Sequence, residues 1–572
     1  MKIWQKIKEN RIQIIVLLLI MAVHLVFVSA KEGCHMDEWI SYEMANAEYN
    51  PWVVPVQPQG RLAKFVQNEI YGDSFGETFN NLMTEVKDVI TNRGNSKLLT
   101  YTADVYEEPV WIDRDTFEAY LTTGQRDSFN VLSVYFNVKD DNHPPIHFML
   151  LHLVASLFPG KISVWMGCMI NVASLLGICI CMIKGANLLE EHNVVPKGKG
   201  KAWAICAMLL YGLSAGAFAT TLLIRMYGVM TFLCVWTFYI HVKKYLTGSF
   251  DKKNVMLIII TVAGFLTQYF FLFYCIILAV VTVILLFATK RKKEGWIYIR
   301  SMCIAAVAGV TIFPFAISDV FSSGRGVEAL NNLKGGLADF AERIQAFGSI
   351  VLQRCFSFTG IGLAILILLA VYFIVRICVQ KCSCKWLVAM LVVPVLGFFI
   401  LVSKMSPMYV DRYIMAAFPF VSMMAAAALV DVASRTKKLY MPLLILMVTV
   451  YGAVAIYSYD GTYLYKGYES QLALAEEYGE LPCICIYEGH GFYDNLPEFM
   501  YYEETLLIKP AELAARTDAS DIKELEQVIV IMKPEADAEK CIDVLNGYGL
   551  EIKEQLLSDG VHEDNIYLFG SR

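Results

Sequence analysis

The chain has 572 residues, of which 56% are hydrophobic and 18% charged, with a formal net charge of −6, and its mean hydropathy is +0.49. That balance excludes an ordinary water-soluble globule, in which about a quarter of residues are charged, and the net acidity excludes general charge attraction to nucleic acid. What is left is a polytopic α-helical membrane protein.

In chain order, apolar runs able to cross a hydrocarbon core as helices fall near residues 12–30, 162–183, 202–222, 226–242, 254–269, 270–289, 301–318, 355–378, 387–403, 413–430 and 441–458, about eleven in all. The first follows Lys2, Lys6, Lys8 and Arg11 and ends in Val28-Ser29-Ala30, which has the look of a signal peptide with a small-residue cleavage site. Its apolar stretch is long for a signal peptide, so it reads as an uncleaved anchor.

Short basic loops stay on the cytoplasmic side. Lys197, Lys199 and Lys201, then Lys243, Lys244, Lys252 and Lys253, the cluster at 290–293, the Lys381/Lys385 loop and the basic residues at 435–438 all fall on one side if residues 31–161 lie outside. An apolar run at 146–158 is too short to cross and would invert every later loop if it did. It reads as a juxtamembrane helix begun by Pro144 and Pro145, which suit a first helical turn.

The expected organisation is an anchor at 1–30, an extracytoplasmic loop at 31–161 with juxtamembrane helices, a helical bundle at 162–458 and an extracytoplasmic domain at 459–572. The last segment carries 24 Asp and Glu against 8 Lys and Arg, a balance unsuited to anionic lipid or nucleic acid. Short apolar strands at 483–487, 506–509, 528–532 and 566–569 alternate with helical stretches at 468–478 and 536–546, which predicts a small α/β domain. It has no glycine-rich phosphate loop. The fifteen cysteines form no legible disulfide framework, and Cys382-Ser383-Cys384 lacks the second pair that a metal site needs.

Three features carry chemistry. Asp37 and Glu38 stand about seven residues past the first span; a carboxylate near a low-dielectric boundary has its proton affinity raised, which suits a general base, although a solvated loop start is the plain alternative. His143, in Asn142-His143-Pro144-Pro145, closes the same outer segment, either as a phosphate partner or as a cap on the helix that follows. Arg225, Lys404 and Arg412 fall at outer ends of spans, against the charge bias of the loops, and are candidate anion ligands. Snorkelling to lipid phosphates, or neutralisation of Arg412 by Asp411, are the alternatives there.

Taken together, Asp37-Glu38 after the first span, His143-Pro144-Pro145 before a Leu-rich helix, Ile224-Arg225-Met226-Tyr227 and Asp411-Arg412-Tyr413 resemble the GT-C membrane glycosyltransferases, in particular the branch of protein O-mannosyltransferases and aminoarabinose transferases, family 39, with its bacterial members. The resemblance spans residues 12–430. It implies a GT-C fold and transfer of a sugar from a polyprenyl-phosphate donor to a protein, lipid or glycan acceptor on the outer face of a plasma membrane.

In that scheme Asp37 takes the acceptor proton and Glu38 orients the reactants, with inversion at the anomeric carbon. His143, Arg225, Tyr227, Lys404 and Arg412 hold the donor phosphate. Gln268 and Tyr269 position substrate; relatives often carry His where this chain has Gln268, which cannot be charged. The family leaves a divalent metal open, and none is assigned here. A transporter or flippase of lipid-linked glycans is the rival reading, but the sequence shows neither the repeats nor the broken helices expected of one.

Overall fold

The computed structural model describes residues 10–49, 52–56, 61–92, 95–102, 108–321, 324–378, 384–434, 440–516 and 519–572. Lys2, Lys6, Lys8, Lys381, Cys382 and the basic residues at 435–438 lie outside them. The chain forms two compact units, one of Met1–Ala30, Asp140–His147 and Gly167–Thr462, the other of Lys31–Lys139, Phe148–Met166 and Tyr463–Arg572.

The first unit is a bundle of apolar helices. Among the described residues, seven are long and apolar enough to cross a membrane: Arg11–Ser29, Val164–Glu191, Phe271–Ala288, Lys292–Ile312, Thr359–Arg376, Lys385–Met405 and Met415–Ala433. Lys199–Gly212 and Ala215–Leu222 make an eighth if counted as one span, bent by 63° at the break. The expectation of about eleven is met differently at three runs. Residues 226–242 belong to helix Tyr227–Thr247, whose last turns carry His241, Lys243 and Lys244. The run at 254–269 yields only Val255–Phe265, and that at 441–458 yields helix Tyr440–Tyr457.

The broken span corrects the expectation of unbroken helices. Ser214 caps the second half, its hydroxyl accepting from the Ala217 N–H at 3.1 Å. His24 of the first helix closes the gap by donating from Nε2 to the Gly212 carbonyl at 2.7 Å, with Nδ1 2.8 Å from the Thr221 hydroxyl. Carbonyls freed by a break inside a membrane protein need such partners. Between the expected spans at 301–318 and 355–378, three further helices appear, Ala316–Phe321, Gly324–Leu333 and Leu337–Phe356.

The second unit is built on a six-stranded sheet: β1 (Trp111–Asp113), β2 (Cys483–Ile486), β3 (Glu504–Ile508), β4 (Gln527–Met532), β5 (Leu550–Leu557) and β6 (Asn565–Ser571), in the order β1-β3-β2-β4-β6-β5. β3, β2 and β4 are parallel and the outer pairs antiparallel. Parallel strands covered on both faces read as continuous apolar runs, and all four residues of Cys483–Ile486 are buried. Ile484, Leu506, Val530 and Phe569 form the core with Leu513 and Leu545. β5 is an exposed edge, and its outward Glu551, Lys553 and Glu554 guard it against further pairing.

β1 comes from the loop after the first span, yet its Ile112 pairs with Thr505 of the C-terminal segment. The Trp111 indole donates to Asp521 at 2.8 Å and Arg114 to the Gly479 carbonyl at 2.8 Å. Two strands of one sheet lie on one side of a membrane, so the chain crosses an even number of times between residues 113 and 504. The helix expected at 146–158 is present as Ile146–Ala155.

Candidate active site

The predicted residues divide between the two units. Asp37 and Glu38 open helix Met36–Asn46 in the sheet-bearing unit. The first N–H groups of a helix have no partner within it, and here each is supplied. Met36 donates to Asp494 Oδ1 at 2.9 Å, Asp37 to the His35 ring Nδ1 at 3.1 Å, and Glu38 to the His35 carbonyl at 2.8 Å. The Glu38 carboxylate turns back to accept the His35 N–H at 2.8 Å, completing a capping box. It also pairs with Lys31 at 3.1 Å, both side chains being fully buried.

Glu38 is thus engaged in the cap and in an internal ion pair. Asp37 is about a quarter exposed, and its Oδ2 lies 3.6 Å from the His35 ring.

In the bundle, Arg225 lies in the non-helical stretch between Leu222 and Tyr227. Asn171 donates to the Leu223 carbonyl at 2.6 Å and the Cys168 thiol to the Leu222 carbonyl at 3.5 Å. The stretch presses onto helix Val164–Glu191 so closely that a Cβ at Gly167 would come within 1.9 Å of Ile224, and one at Gly228 within 2.4 Å of Asn171. Arg225 is thereby fixed, at 5% exposure.

Around it the structure brings together Asp141, His143 and His147. His143 Nδ1 lies 3.0 Å from Asp141 Oδ2 and 3.5 Å from Arg225 Nη2. One ring nitrogen cannot serve both, and the shorter contact to a carboxylate decides that Nδ1 carries the proton and donates to Asp141. Burial raises the Asp141 carboxyl, but His143 and Arg225 outweigh it and hold the group below its ordinary value. Asp141 was missed at sequence level, although it stands two residues before His143.

The other cations separate. Lys404 donates to the Gly335 carbonyl at 2.7 Å and lies over the Phe340 ring. Asp411 pairs with Arg354 at 2.8 Å, a residue of helix Leu337–Phe356. Arg412 lies over the ring of Tyr413, which in turn packs edge-on to Tyr227. Tyr269 donates to Asp319 at 2.6 Å, and Gln268 is buried beside it. Among the described residues no group of three or more His, Cys, Asp and Glu side chains is placed to hold a metal.

The sheet-bearing unit also holds a polar cavity of about 590 Å³, lined by Glu48, Lys64, Asp113, Asp115, Glu118 and Asp127 among others. Burial and neighbouring Glu48 push the Asp127 carboxyl up to about 6.

No family model matches the chain, and no curated protein matches it. Among solved structures it is similar to ArnT from Cupriavidus metallidurans bound to undecaprenyl phosphate, with a TM-score of 0.48 at 10% identity over 75% of this chain and 88% of that one. It is similar also to the apo state of the same protein, with a TM-score of 0.42 at 10% identity over 75% of this chain and 87% of that one.

Proposed function

We propose that the protein is a GT-C type glycosyltransferase that moves a sugar from a polyprenyl-phosphate donor to an acceptor on the extracytoplasmic face. The observation that supports this reading is the cluster of Asp141, His143 and Arg225 in the helical bundle, with Asp141 and Arg225 buried. Departure of a polyprenyl phosphate leaves growing negative charge, and fixed cations stabilise that charge more in the transition state than in the ground state. Arg225 supplies a guanidinium held in place by its packing. Asp141 fixes the His143 ring through Nδ1, and His143 is assigned to the departing phosphate. Arg412 and Tyr227 are assigned to the same phosphate.

Asp37 is the general base. It takes the proton of the acceptor hydroxyl as that oxygen forms the new bond to the anomeric carbon, while the bond to the phosphate oxygen breaks. One displacement inverts the configuration. Nucleotide sugars are confined to the cytoplasm, whereas a lipid-linked sugar reaches the outer surface, which agrees with the side assigned to Asp37 by the basic loops.

The test is incubation of the purified protein with a panel of radiolabelled polyprenyl-phosphate sugars, scoring release of the lipid phosphate and transfer of label. Consumption of at least one donor, abolished in Asp37→Asn and severely reduced in Arg225→Ala at unchanged protein level, is the expected result. A wild-type protein that consumes none, or two variants as active as wild type, would sink the reading.

A further inference from the structure

The helix that presents Asp37 is held at its first turn by a residue more than four hundred positions away. Asp494 lies in the turn Gly491–Asn495, after β2, and its Oδ1 takes the Met36 N–H at 2.9 Å. Its carboxylate is braced on both sides: His562 Nδ1 stands 3.6 Å from Oδ1 and Lys533 Nζ 3.8 Å from Oδ2. Lys533 is itself buried, bound to Asp564 at 2.5 Å and to the Asn495 side chain at 3.1 Å. Asn495 and Gln471 then tie Asp564 to Glu498.

The strand of chain leading into Met36 is gripped by the same C-terminal segment. Lys31 donates to the Tyr463 carbonyl at 2.7 Å, the Glu32 N–H to the Leu464 carbonyl at 2.8 Å, and Lys466 to the Glu32 carboxylate at 2.7 Å. Gly33 lies flat on the Tyr468 ring, where a Cβ would come within 2.7 Å of Cγ. The Tyr468 hydroxyl in turn donates to the Asp494 carbonyl at 3.3 Å. A surface carboxylate needs no such apparatus behind it. A base that must sit within a few tenths of an ångström of an acceptor hydroxyl does.

We propose that Asp494 is a positioning residue for Asp37, and that the C-terminal domain acts in the reaction through this bond by setting the angle at which the helix Met36–Asn46 delivers its carboxylate. The proposal rests on the assignment of Asp37 as the base. It explains why an acidic domain with no phosphate loop follows the last span: its buried charge network ends on the backbone next to the proposed base.

The bond can be cut from either end. Asp494→Ala removes the acceptor, Asp494→Asn keeps an acceptor oxygen without the charge, and Met36→Pro removes only the donor at a position where proline is well tolerated. The His35 backbone is already extended, as a residue before proline requires. Hydrogen exchange in detergent-solubilised full-length protein is read at the amides of Asp37 and Glu38, with the β4 amides as the control for folding.

The expected result is exchange at least about tenfold faster in Asp494→Ala, near wild type in Asp494→Asn, and unchanged at β4. In the transfer assay Asp494→Ala and Met36→Pro each lower kcat by about 10-fold to 100-fold with KM for the donor little changed. The double variant is no worse than either, since both cut one bond.

Unchanged exchange at Asp37 overturns the proposal whatever the activity. Full activity of Met36→Pro or Asp494→Ala, in an assay where Asp37→Asn is inactive, overturns it as well. Full activity of Asp37→Asn instead removes the base assignment beneath it, and the two failures are told apart by that control.

Discussion

Asp141 Oδ2 and His143 Nδ1 are 3.0 Å apart at the turn that precedes Pro144 and Pro145. This places a carboxylate against Nδ1 of the imidazole, so a residue two positions upstream of the motif fixes the motif's histidine. Asp141→Ala is expected to lower kcat by about 10²-fold to 10³-fold, the cost of losing one preorganised donor. Asp141→Asn, which still accepts from Nδ1, is expected to lose less. Because His143 and Arg225 hold the Asp141 carboxyl below its ordinary value, its charge contributes stability at all pH above the usual carboxylate range and is lost only as pH falls beneath it. A kcat profile measured from pH 4.5 to 8 checks this: the acid limb should be insensitive to Asp141→Asn.

Glu498 carries the opposite signature. Its complete burial, with Asp564 beside it, raises the carboxyl to about 8 despite hydrogen bonds from Asn495 and Gln471. A carboxyl raised by folding keeps its proton while the unfolded chain gives it up, so stability falls as pH climbs from the ordinary glutamate value to about 8 and levels off above. Glu498→Gln removes that liability and keeps an acceptor for Asn495. Thermal unfolding should show no gain for this variant at pH 4 and a gain that grows up to pH 8; a gain independent of pH would contradict the assignment.

The ion pair of Lys31 and Glu38 is entirely inside the protein. Removing one partner of a buried pair leaves an uncompensated charge and costs on the order of 3–5 kcal/mol. Lys31→Met should therefore lower Tm sharply in detergent, and Lys31→Met combined with Glu38→Gln should recover a large part of the loss. Equal Tm for the single and double variants would show that the pair is not coupled.

The shared sheet makes a topological prediction. Cysteines placed at the exposed positions Glu118 and Glu554 should both react with a membrane-impermeant maleimide added to intact cells, and one at exposed Lys290 only after permeabilisation. Reaction of Glu118→Cys and Glu554→Cys on different sides would contradict the pairing of β1 with β3.

Much of the architecture was legible in the sequence because hydropathy and lysine placement act locally. The first helix, the juxtamembrane helix after Pro145 and the strands of Cys483–Ile486 and Gln527–Met532 all follow from runs of a few residues. What escaped was pairing at a distance. Strand β1 is three residues long, too short to carry a period, and is defined only by its partner Thr505. Arg354 sits in an amphipathic helix with no apolar run to announce it, so its pairing with Asp411 was invisible. Glu38 looked like half of an acidic pair because Lys31, seven residues upstream, reads as an ordinary flank to a membrane span; only the fold shows the two side chains turned inward together. Asp141 lay in plain view but carries no pattern of its own.

The pairing of Ile112 with Thr505 also orders events during synthesis. Ribosomes release the first of these residues long before the second, and every apolar helix of the bundle after Arg11–Ser29 is made in between. Until the tail emerges, β1 has no edge to dock against, so a chain cut short within the bundle would leave this sheet unassembled.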